Sequence, residues 1–384
     1  MEGNENRLKG LVSALRGVND PRIERSKLYP LNEVLFLCVS AVISGYESWD
    51  EIVDFGEEKL SWLRSFLPFE NGVPSHDTLN RVVSLIDYRS FEKSFIDWAT
   101  MGISLPNGVQ ICIDGKKIRR SATKLEQQTP HTQGGKSAVH LVHAWCNELE
   151  LCLGQYKTKS KSNEITAIPA LLDLLEIGGS IITIDAMGCQ KKIAEKIVEK
   201  KGEYIFGLKG NQGNLSASVT EVFKDEKHSS QVQQEISHSK GHGRKEERIC
   251  RVLSADILPE SAQISEWKNL ESIIEICSKR EIMSTGKIET EKRYYISSLR
   301  ESAPNFNALI RSHWGVENKL HWTMDVLFGE DQSRKRVKNA AENFSTIRKI
   351  VLNLIKASPE KISVNRKRKK CALSDQYRES VMQI

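Results

Sequence analysis

Two stretches near the start of the chain repeat apolar residues at the three- and four-residue spacing of an α-helix. They lie between residues 31 and 41 and between residues 78 and 86, and Ser75-His-Asp-Thr supplies capping residues before the second. Such spacing is typical of helices that bury one face. The pattern predicts a helical N-terminal domain over residues 1–104, which ends near the turn-forming segment Ser104-Leu-Pro-Asn-Gly.

From residue 109 the apolar residues are arranged in short runs that are typical of β-strands. Three runs predict an antiparallel meander: Val109–Asp114, Ala138–Cys146 and Leu151–Lys157. Helix-like segments then alternate with two further strand-like runs, Ser180–Asp185 and Glu203–Leu208. This order predicts a mixed α/β sheet inside a domain that spans residues 105–360.

The last part of the chain changes its pattern twice more. Alternating short strands return over about residues 225–300, and we interpret them as a β-rich insertion within the α/β domain. After Pro304 a helical pattern continues to about Lys356, and residues 361–384 are polar and basic. We therefore expect one long helical region followed by a basic polar tail.

The composition narrows the class of protein. The 384 residues are 39% hydrophobic and 28% charged, which excludes collagen-like, low-complexity and wholly disordered chains. The longest apolar stretch, Val34–Gly45, is shorter than the roughly 20 residues of a membrane span. The polar N-terminal residues do not resemble a secretory signal, and the eight cysteines contain no CxxC pair. We therefore expect buried thiols in a cytoplasmic protein without a membrane partner.

The basic residues are concentrated near the C-terminus. The net charge of the whole chain is +6, but residues 331–370 hold thirteen basic and three acidic residues, so the remainder is net negative. The excess includes two runs, Arg334–Lys338 and Arg366–Lys370. Because concentrated cations attract phosphate backbones, the distribution favours a nucleic-acid partner over a merely solvated surface.

Two aspartates follow apolar, strand-like runs. Asp114 ends the run Ile111-Cys-Ile, and Asp185 ends the run Ile181-Ile-Thr-Ile. One such carboxylate is usually a turn former or a helix cap. Two of them in one α/β sheet favour a functional site, because sites in such sheets lie at the carboxyl ends of the strands.

A third acidic residue comes from the late helical region. Six residues follow a 4-3-4-3-4 spacing and predict one packed stripe: Phe306, Ile310, His313, Glu317, Leu320 and Met324. The stripe places Glu317 against the sheet, where an unpaired carboxylate is costly. Carboxylate oxygens are the ligands that Mg²⁺ or Mn²⁺ prefers, and two such ions can promote reaction at a phosphodiester. His313 and His321 flank Glu317 and leave a zinc site as the less favoured alternative.

Longer motifs connect the chain to a known family. Seven stretches match in order: IDGKKIRRS (113–121), KSNEITAIPALLDLL (161–175), ITIDAMGCQKKIAEKI (182–197), YIFGLKGNQ (204–212), GHGRKEER (241–248), HWGVENKLHWTMDVLFGED (313–331) and NAAENFSTIRKIVLNLIK (339–356). Together they resemble the DDE insertion-sequence transposases, specifically the H-repeat-associated family linked to Rhs elements. The helical start resembles the N-terminal associated domain of that family.

The resemblance implies an RNase H-like mixed-sheet catalytic core with a β-rich insertion before its last acidic helix. By motif match, Asp114, Asp185 and Glu317 are its catalytic triad, which binds Mg²⁺ or Mn²⁺ as two ions. It also implies a DNA transposase that cleaves insertion-sequence ends and transfers the strands into target DNA. The implied partners are the terminal inverted repeats, target DNA and further copies of the chain in the synaptic complex. Two alternatives stay open: a nuclease of the same fold without strand transfer, and a decayed or repurposed DNA-binding protein.

The wider superfamily often carries Tyr, Arg and Lys around its catalytic glutamate, and this chain departs from that pattern. Ile310, His313 and Met324 hold the three places. The role of clamping phosphate then falls to His313, Lys319 or Arg311.

Three groups of residues are further candidates for DNA contact. One directly follows Asp114, one lies in the turn after Glu203–Leu208, and one lies in the basic run at 334–338. For the first two groups an ordinary solvated turn is the alternative. Together with two residues around Glu317, the candidates are Lys116, Lys117, Arg119, Arg120, Lys209, Asn211, His313, Lys319, Arg334 and Arg336.

Overall fold

A computed structural model describes residues 10–101, 103, 105–122, 137–158, 164–241 and 243–384. The chain divides into two compact units, which we call the helix-rich unit and the sheet unit. The helix-rich unit comprises Met1–Ser104, Gly115–Asn163 and Glu317–Ile384, and the sheet unit comprises Leu105–Asp114 and Glu164–Val316. The division into domains at residues 1–104, 105–360 and 361–384 stays a prediction.

The predicted helical start is confirmed. Its helices are α1 (Leu11–Arg16), α2 (Leu31–Ile43), α3 (Trp49–Glu58), α4 (Leu60–Leu63), α5 (His76–Leu85) and α6 (Tyr88–Thr100). Ser75 caps α5 as expected, because its side chain accepts a hydrogen bond from the Thr78 amide. A reciprocal pair of cap hydrogen bonds between Ser48 and Glu51 begins α3.

α2 is the most deeply buried of these helices, with all but one of its residues inside the protein. By length and composition Glu24–Ile43 is apolar enough to cross a membrane, with a mean hydropathy of 1.3. However, 67% of the apolar part of this segment is buried inside the protein. Since the core helix of a globular fold passes the same test, this is weak evidence for a membrane span.

Within the described residues, nine strands form one mixed sheet, which confirms that prediction. They are β1 (Gln110–Lys117), β2 (His140–Cys146), β3 (Leu151–Lys157), β4 (Ile181–Ile184), β5 (Glu203–Leu208), β6 (Gln233–Gly241), β7 (Arg244–Ser254), β8 (Ser272–Ile282) and β9 (Ile288–Ser297). Their order is β3-β2-β1-β4-β5-β9-β8-β7-β6. β4 pairs in parallel with β1 and β5, whereas β9 pairs antiparallel with β5. The insertion therefore extends the sheet beyond β5, and the RNase H-like assignment stays a prediction.

Three helices connect the strands of the sheet unit and one covers part of its face. They are α7 (Glu164–Asp173), α8 (Lys191–Glu199), α9 (Gly213–Lys224) and α10 (Ala303–Ser312). Phe306 and Ile310 of α10 pack with Ile181 and Ile205 of the sheet in one apolar cluster. The apolar residues of β4 (IITI) and β5 (EYIFGL) suit these positions because parallel strands are buried on both faces.

The expected long helical region after Pro304 is interrupted. α10 is followed by a π-helical turn at Val316–His321, by α11 (Trp322–Val326) and, only after residue 339, by α12 (Ala340–Ala357). Gly329 adopts a left-handed backbone with φ 57° in the gap, a conformation that suits glycine and does not continue a helix. The expectation of one long helix is therefore wrong for residues 327–339, which contain the first basic run.

The polar C-terminal segment is helical and partly buried. The C-terminal segment forms α13 (Val364–Leu373) and α14 (Asp375–Met382), and each of these helices contains buried residues. Lys367 and Arg368 of the second basic run are 5% exposed each. Lys367 Nζ donates a hydrogen bond to the Ile355 carbonyl at 2.9 Å, and Arg368 Nη2 donates one to the Val42 carbonyl at 2.9 Å. These cations satisfy backbone carbonyls inside the protein, which a count of charges along the sequence does not reveal.

All eight cysteines are free thiols, as expected. Seven of them are buried, and Cys277 of β8 is partly exposed.

Candidate active site at the carboxyl end of the central strands

Asp114 and Asp185 lie side by side where the pairing of β1 with β4 ends. The last paired residues are Ile113 and Ile184, and the next residue along the chain from each is the aspartate. In-register residues on adjacent strands are about 4.8 Å apart across the sheet and point to the same face. β1 itself continues to Lys117, so the expectation that Asp114 ends its strand is wrong.

The two aspartates point to the face that α10 covers. Two residues earlier on each strand are Cys112 and Thr183, which contact the end of that helix. Cys112 Sγ lies 3.9 Å from the Ser312 carbonyl oxygen, and Thr183 Oγ1 lies 2.9 Å from Nδ1 of His313. Because side chains two residues apart along a strand point to the same side, both carboxylates point to this side as well.

The Gln110 side chain connects the end of α10 to the central strands by hydrogen bonds. Its Nε2 donates hydrogen bonds to Thr183 Oγ1 at 3.0 Å and to the Leu309 carbonyl at 2.9 Å. The Ser312 hydroxyl donates to Oε1 of the same side chain. This buried network fixes the side of the sheet on which the aspartates lie.

The Asp185 carboxylate caps the turn that follows β4. Its Oδ1 accepts hydrogen bonds from the Met187 amide at 3.1 Å and the Gly188 amide at 3.4 Å. Partial burial raises its pKa, the negative charge of Glu164 acts in the same direction, and the two amides and Lys209 oppose them. The residue is nevertheless exposed, so a ligand can reach the carboxylate.

Gly207 makes room for this turn. A Cβ at this position would lie 3.0 Å from the Ala186 amide nitrogen and 3.4 Å from the Asp185 carbonyl carbon. Asn211 Nδ2 donates a hydrogen bond to the Ala186 carbonyl at 2.8 Å, which ties the loop after β5 to the turn after β4. Lys209, in the same loop, is exposed. DNA contact by Asn211 and Lys209 stays a prediction.

The lowered pKa of His313 favours its neutral form. Burial lowers its pKa to about 4, and Nδ1 shares a hydrogen bond with the Thr183 hydroxyl. A neutral imidazole cannot supply the charge of the arginine whose place it holds. Contact of His313 with DNA phosphate stays a prediction.

Glu317 belongs to the helix-rich unit and lies on the π-helical turn. Val316 and Leu320 are buried, whereas Glu317 is exposed. The expected burial of Glu317 in a packed stripe is wrong, because the 4-3-4 spacing assumes a regular α-helix and a π-turn shifts the residues that follow. Its assignment as the third acid stays a prediction.

Two neighbours of Glu317 have partners of their own. Lys319 Nζ lies 2.6 Å from Oε1 of Glu150, which weakens the case for Lys319 as a phosphate clamp. His321 Nε2 lies 3.1 Å from His143 Nδ1, and burial lowers the pKa of His321 to about 3. Within the described parts of the chain, no group of three or more His, Cys, Asp or Glu side chains is placed to hold a metal ion. The zinc alternative around Glu317 stays a prediction.

Lys116 is buried in an ion cluster and is not an exposed DNA contact, which corrects that expectation. Its Nζ lies 2.6 Å from Asp325 and 2.9 Å from Glu330. Glu330 also binds Lys349, and both of these side chains are fully buried. Sequence reasoning missed the cluster because Asp325 is 209 residues away from Lys116 along the chain.

The remaining candidate cations lie in the helix-rich unit. Arg119 Nε lies 3.1 Å from Asp331, and Arg336 Nε donates a hydrogen bond to the Arg120 carbonyl at 2.8 Å. The exposed members of the group are Lys117, Arg119, Arg120 and Arg334. Their contact with DNA stays a prediction.

Family comparison identifies the chain. The family model described as "Transposase DDE domain" matches residues 106–354. The chain belongs to the DDE transposase family. A second model, described as "DDE_Tnp_1-associated", matches residues 12–99 of this family member, which covers the helices that precede β1.

Two relatives from Escherichia coli match this DDE transposase family member over nearly its whole length. "Putative transposase YncI" of strain O157:H7 is 44% identical over 383 residues, which is 98% of this chain and 95% of the relative. "H repeat-associated putative transposase YhhI" of strain K12 is 41% identical and covers 98% of both chains. The predicted similarity to H-repeat-associated transposases is confirmed.

Two further similarities are partial or distant. "Inactive transposase YbfQ" of Escherichia coli K12 is 44% identical over 77 residues, which is 20% of this chain and 92% of the relative. A solved structure titled "Cryo-EM structure of piggyBac transposase synaptic complex with hairpin DNA (SNHP)" aligns with a TM-score of 0.44 and 11% identity, covering 98% of this chain and 79% of that chain. This structural similarity is too low to carry an argument.

Proposed function

We propose that this chain is a metal-dependent DNA transposase that cleaves insertion-sequence ends and joins them to target DNA. The observation that supports it most is the side-by-side placement of Asp114 and Asp185 on one face of the sheet, in a member of the DDE transposase family. The proposal includes Mg²⁺ or Mn²⁺ as the cofactor, element ends and target DNA as partners, a homo-oligomer in the synaptic complex, and a cytoplasmic location.

The donor chemistry of the two aspartates fits a hard divalent cation. Carboxylate oxygens are the ligands that such ions prefer, and the Asp185 carboxylate is both exposed and next to a second acid. Because burial and the charge of Glu164 raise the pKa of Asp185, a cation there would stabilise the ionised form. Glu317 would complete the proposed set. When bound, divalent ions stabilise charge at a phosphodiester and promote its attack by water.

In the proposed reaction, a water oxygen attacks the phosphorus at an element end. The bond between phosphorus and the 3′-oxygen breaks, which leaves a 5′-phosphate and a free 3′-OH, and the displaced proton passes to solvent. The 3′-OH oxygen then attacks a target phosphodiester in line and displaces the 3′-oxygen of the target strand. Asp114 and Asp185 orient both steps from the same face of the sheet.

The test is an assay of the full chain on DNA that carries the flanking inverted repeats, with and without Mg²⁺. Products that are cleaved and joined support the proposal. Cleavage without joined products favours a nuclease of the same fold. Binding without cleavage favours a decayed DNA-binding protein, an outcome that the name of the inactive relative YbfQ makes worth separating.

A further inference from the structure

We propose that Arg293, held between Glu291 and the indole ring of Trp314, binds a DNA phosphate next to Asp185 and is assisted by Lys209. The inference rests on the proposed DNA-processing function and assigns the sheet unit its own phosphate-binding arginine. Arg293 lies in the β-rich insertion, outside every motif that carried the resemblance to the family.

Strand register places Arg293 at the same end of the sheet as the aspartates. Continuing the pairing of β4 with β5 by one residue puts Gly207 beside Asp185. Gly207 is paired with Tyr295 of the antiparallel strand β9. Lys209 comes two residues after Gly207, and Arg293 comes two residues before Tyr295, so both extend past the pairing at this end.

Arg293 also points to the same face as the aspartates. Tyr295 packs against the apolar cluster that includes α10, and residues two apart on a strand share a face. The Arg293 guanidinium carbon lies 5.0 Å from the centroid of the Trp314 ring. Trp314 follows the end of α10 by two residues, and its neighbour His313 is bound to Thr183. The row Asp114, Asp185, Lys209 and Arg293 thus runs along one side of the sheet.

The Arg293 side chain is already fixed in position. Its Nε and Nη2 donate hydrogen bonds to the two oxygens of Glu291 at 2.7 and 3.0 Å. This contact uses two of the five N–H donors of a guanidinium, and the indole ring supports its flat face. The side chain is 32% exposed. A guanidinium that is held flat at the surface suits bidentate binding of a phosphate, with little side-chain entropy left to lose.

The positive charge of Lys209 acts on the carboxylates of both Asp185 and Glu291. Burial raises the pKa of Asp185, and the hydrogen bond from Arg293 lowers the pKa of Glu291. The charge of Lys209 lowers both pKa values. Lys209 comes two residues after Gly207, which continues the strand pairing beside Asp185, and its own side chain is exposed. A DNA strand brought to two aspartates needs its phosphate charge balanced nearby, and Lys209 and Arg293 are placed to do so.

The experiment titrates the full chain into duplex DNA of random sequence, in EDTA and at several salt concentrations. Arg293→Ala should weaken binding about tenfold, the loss expected for a hydrogen bond to a charged group. It should also flatten the slope of log Kd against log salt by about 0.9, the value for one lost phosphate contact. The matched control is Arg300→Ala, which removes another exposed arginine of the sheet unit, paired with Glu271 at 2.6 Å. It should leave affinity and slope unchanged.

Two further variants keep the test decisive if Arg293→Ala does not fold. Arg293→Lys keeps the positive charge but loses the planar guanidinium that binds phosphate in a bidentate way. It should therefore bind DNA with intermediate affinity. Glu291→Gln removes one of the two carboxylate oxygens that hold the guanidinium and should also bind DNA more weakly than the wild type. Wild-type affinity and salt slope in all Arg293 variants would overturn the inference while leaving the proposed function intact. Failure of the unaltered chain to bind DNA at any salt concentration would instead overturn the proposed function.

Discussion

Glu330 and Lys349 form an ion pair in which neither side chain has any exposed surface. The Glu330 carboxylate also accepts a hydrogen bond from the Ser345 hydroxyl at 2.6 Å and one from Lys116 Nζ at 2.9 Å. The pKa of Glu330 is well below its usual value: the positive charges of Lys349 and Lys116 lower it despite the opposing effect of burial. The cluster joins the end of β1 to α12 within the helix-rich unit, so its integrity supports that unit.

We expect Lys349→Met to lower the free energy of unfolding by about 3–5 kcal/mol, because it leaves a buried carboxylate with less compensating charge. Adding Glu330→Gln to this variant should recover part of the loss. Chemical denaturation measures both. Lys287→Met is the matched control, since its pair with Glu289 is exposed, and it should cause no measurable change. Equal losses in Lys349→Met and Lys287→Met would contradict the assigned importance of the cluster.

The pH dependence of stability should carry a contribution from His313. Burial lowers its pKa from 6.5 to about 4, so the unfolded chain binds the proton first as the pH falls. The contribution is fully present above pH 6.5 and is lost down to about pH 4, on the order of 3 kcal/mol at about 1.4 kcal/mol per pKa unit. His313→Asn, which can still bind Thr183, should flatten this part of the curve. Parallel curves for wild type and variant in urea denaturation would show that His313 does not titrate as stated.

Asp114→Asn, Asp185→Asn and Glu317→Gln should each abolish cleavage and joining while DNA binding and the melting temperature stay nearly unchanged. Each variant removes a charge with little change in volume, and Glu317 is exposed. Gel assays of cleaved and joined DNA give the readout. Substantial activity in any one variant would remove that residue from the set. An inactive Asp325→Asn beside an active Glu317→Gln would move the third acid to Asp325.

Gly207→Ala should reduce the cleavage rate about 100-fold, because a small displacement of reacting groups has an effect of that size. The added Cβ would press on the backbone of Ala186 and Asp185. Gly210→Ala is the control in the same loop, since no atom lies within 4 Å of its added Cβ. Single-turnover rates of the two variants decide the point. A slow Gly210→Ala beside an unaffected Gly207→Ala would contradict it.

The basic run Arg366–Lys370 should separate into structural and DNA-binding residues. Arg368→Ala should lower the free energy of unfolding by about 2–4 kcal/mol, because the Val42 and Leu327 carbonyls lose their donors. Arg366→Ala and Lys369→Ala remove exposed charges. They should leave stability unchanged, weaken binding to specific and random DNA by similar factors, and flatten the salt slope. Full stability in Arg368→Ala together with weakened DNA binding would instead show that Arg368 is an exposed DNA-binding residue.

Local sequence was sufficient to predict that Asp185 follows a buried strand. A run such as Ile181-Ile-Thr-Ile is short, apolar and β-branched, so it forms a buried strand, and the polar residue that follows must lie at its end. Asp185 confirms this directly. Ser75 was predictable in the same way, because a cap contacts an amide only three residues away.

The residues that were misjudged depend on distant parts of the chain. Lys116 looked like one of several surface cations, but its acidic partners come from the segment after α11. The π-turn at Val316–His321 changes which side of the helix Glu317 occupies, and no regular spacing encodes that change. Arg293 belongs to no motif, because its neighbour Trp314 is brought near it only by the fold.

The unaltered chain has a single cysteine that is accessible for labelling. Burial raises the pKa of Cys189 to about 12, and thiols of this kind contain almost none of the thiolate that reacts with maleimides. Of the eight cysteines, all within the described residues, only Cys277 is not buried. Its neighbour Ile276 belongs to the cluster beneath α10, so Cys277 points to the opposite face. A dye attached there would sit on the reverse side of the sheet from the aspartates and report DNA engagement by fluorescence without an introduced cysteine.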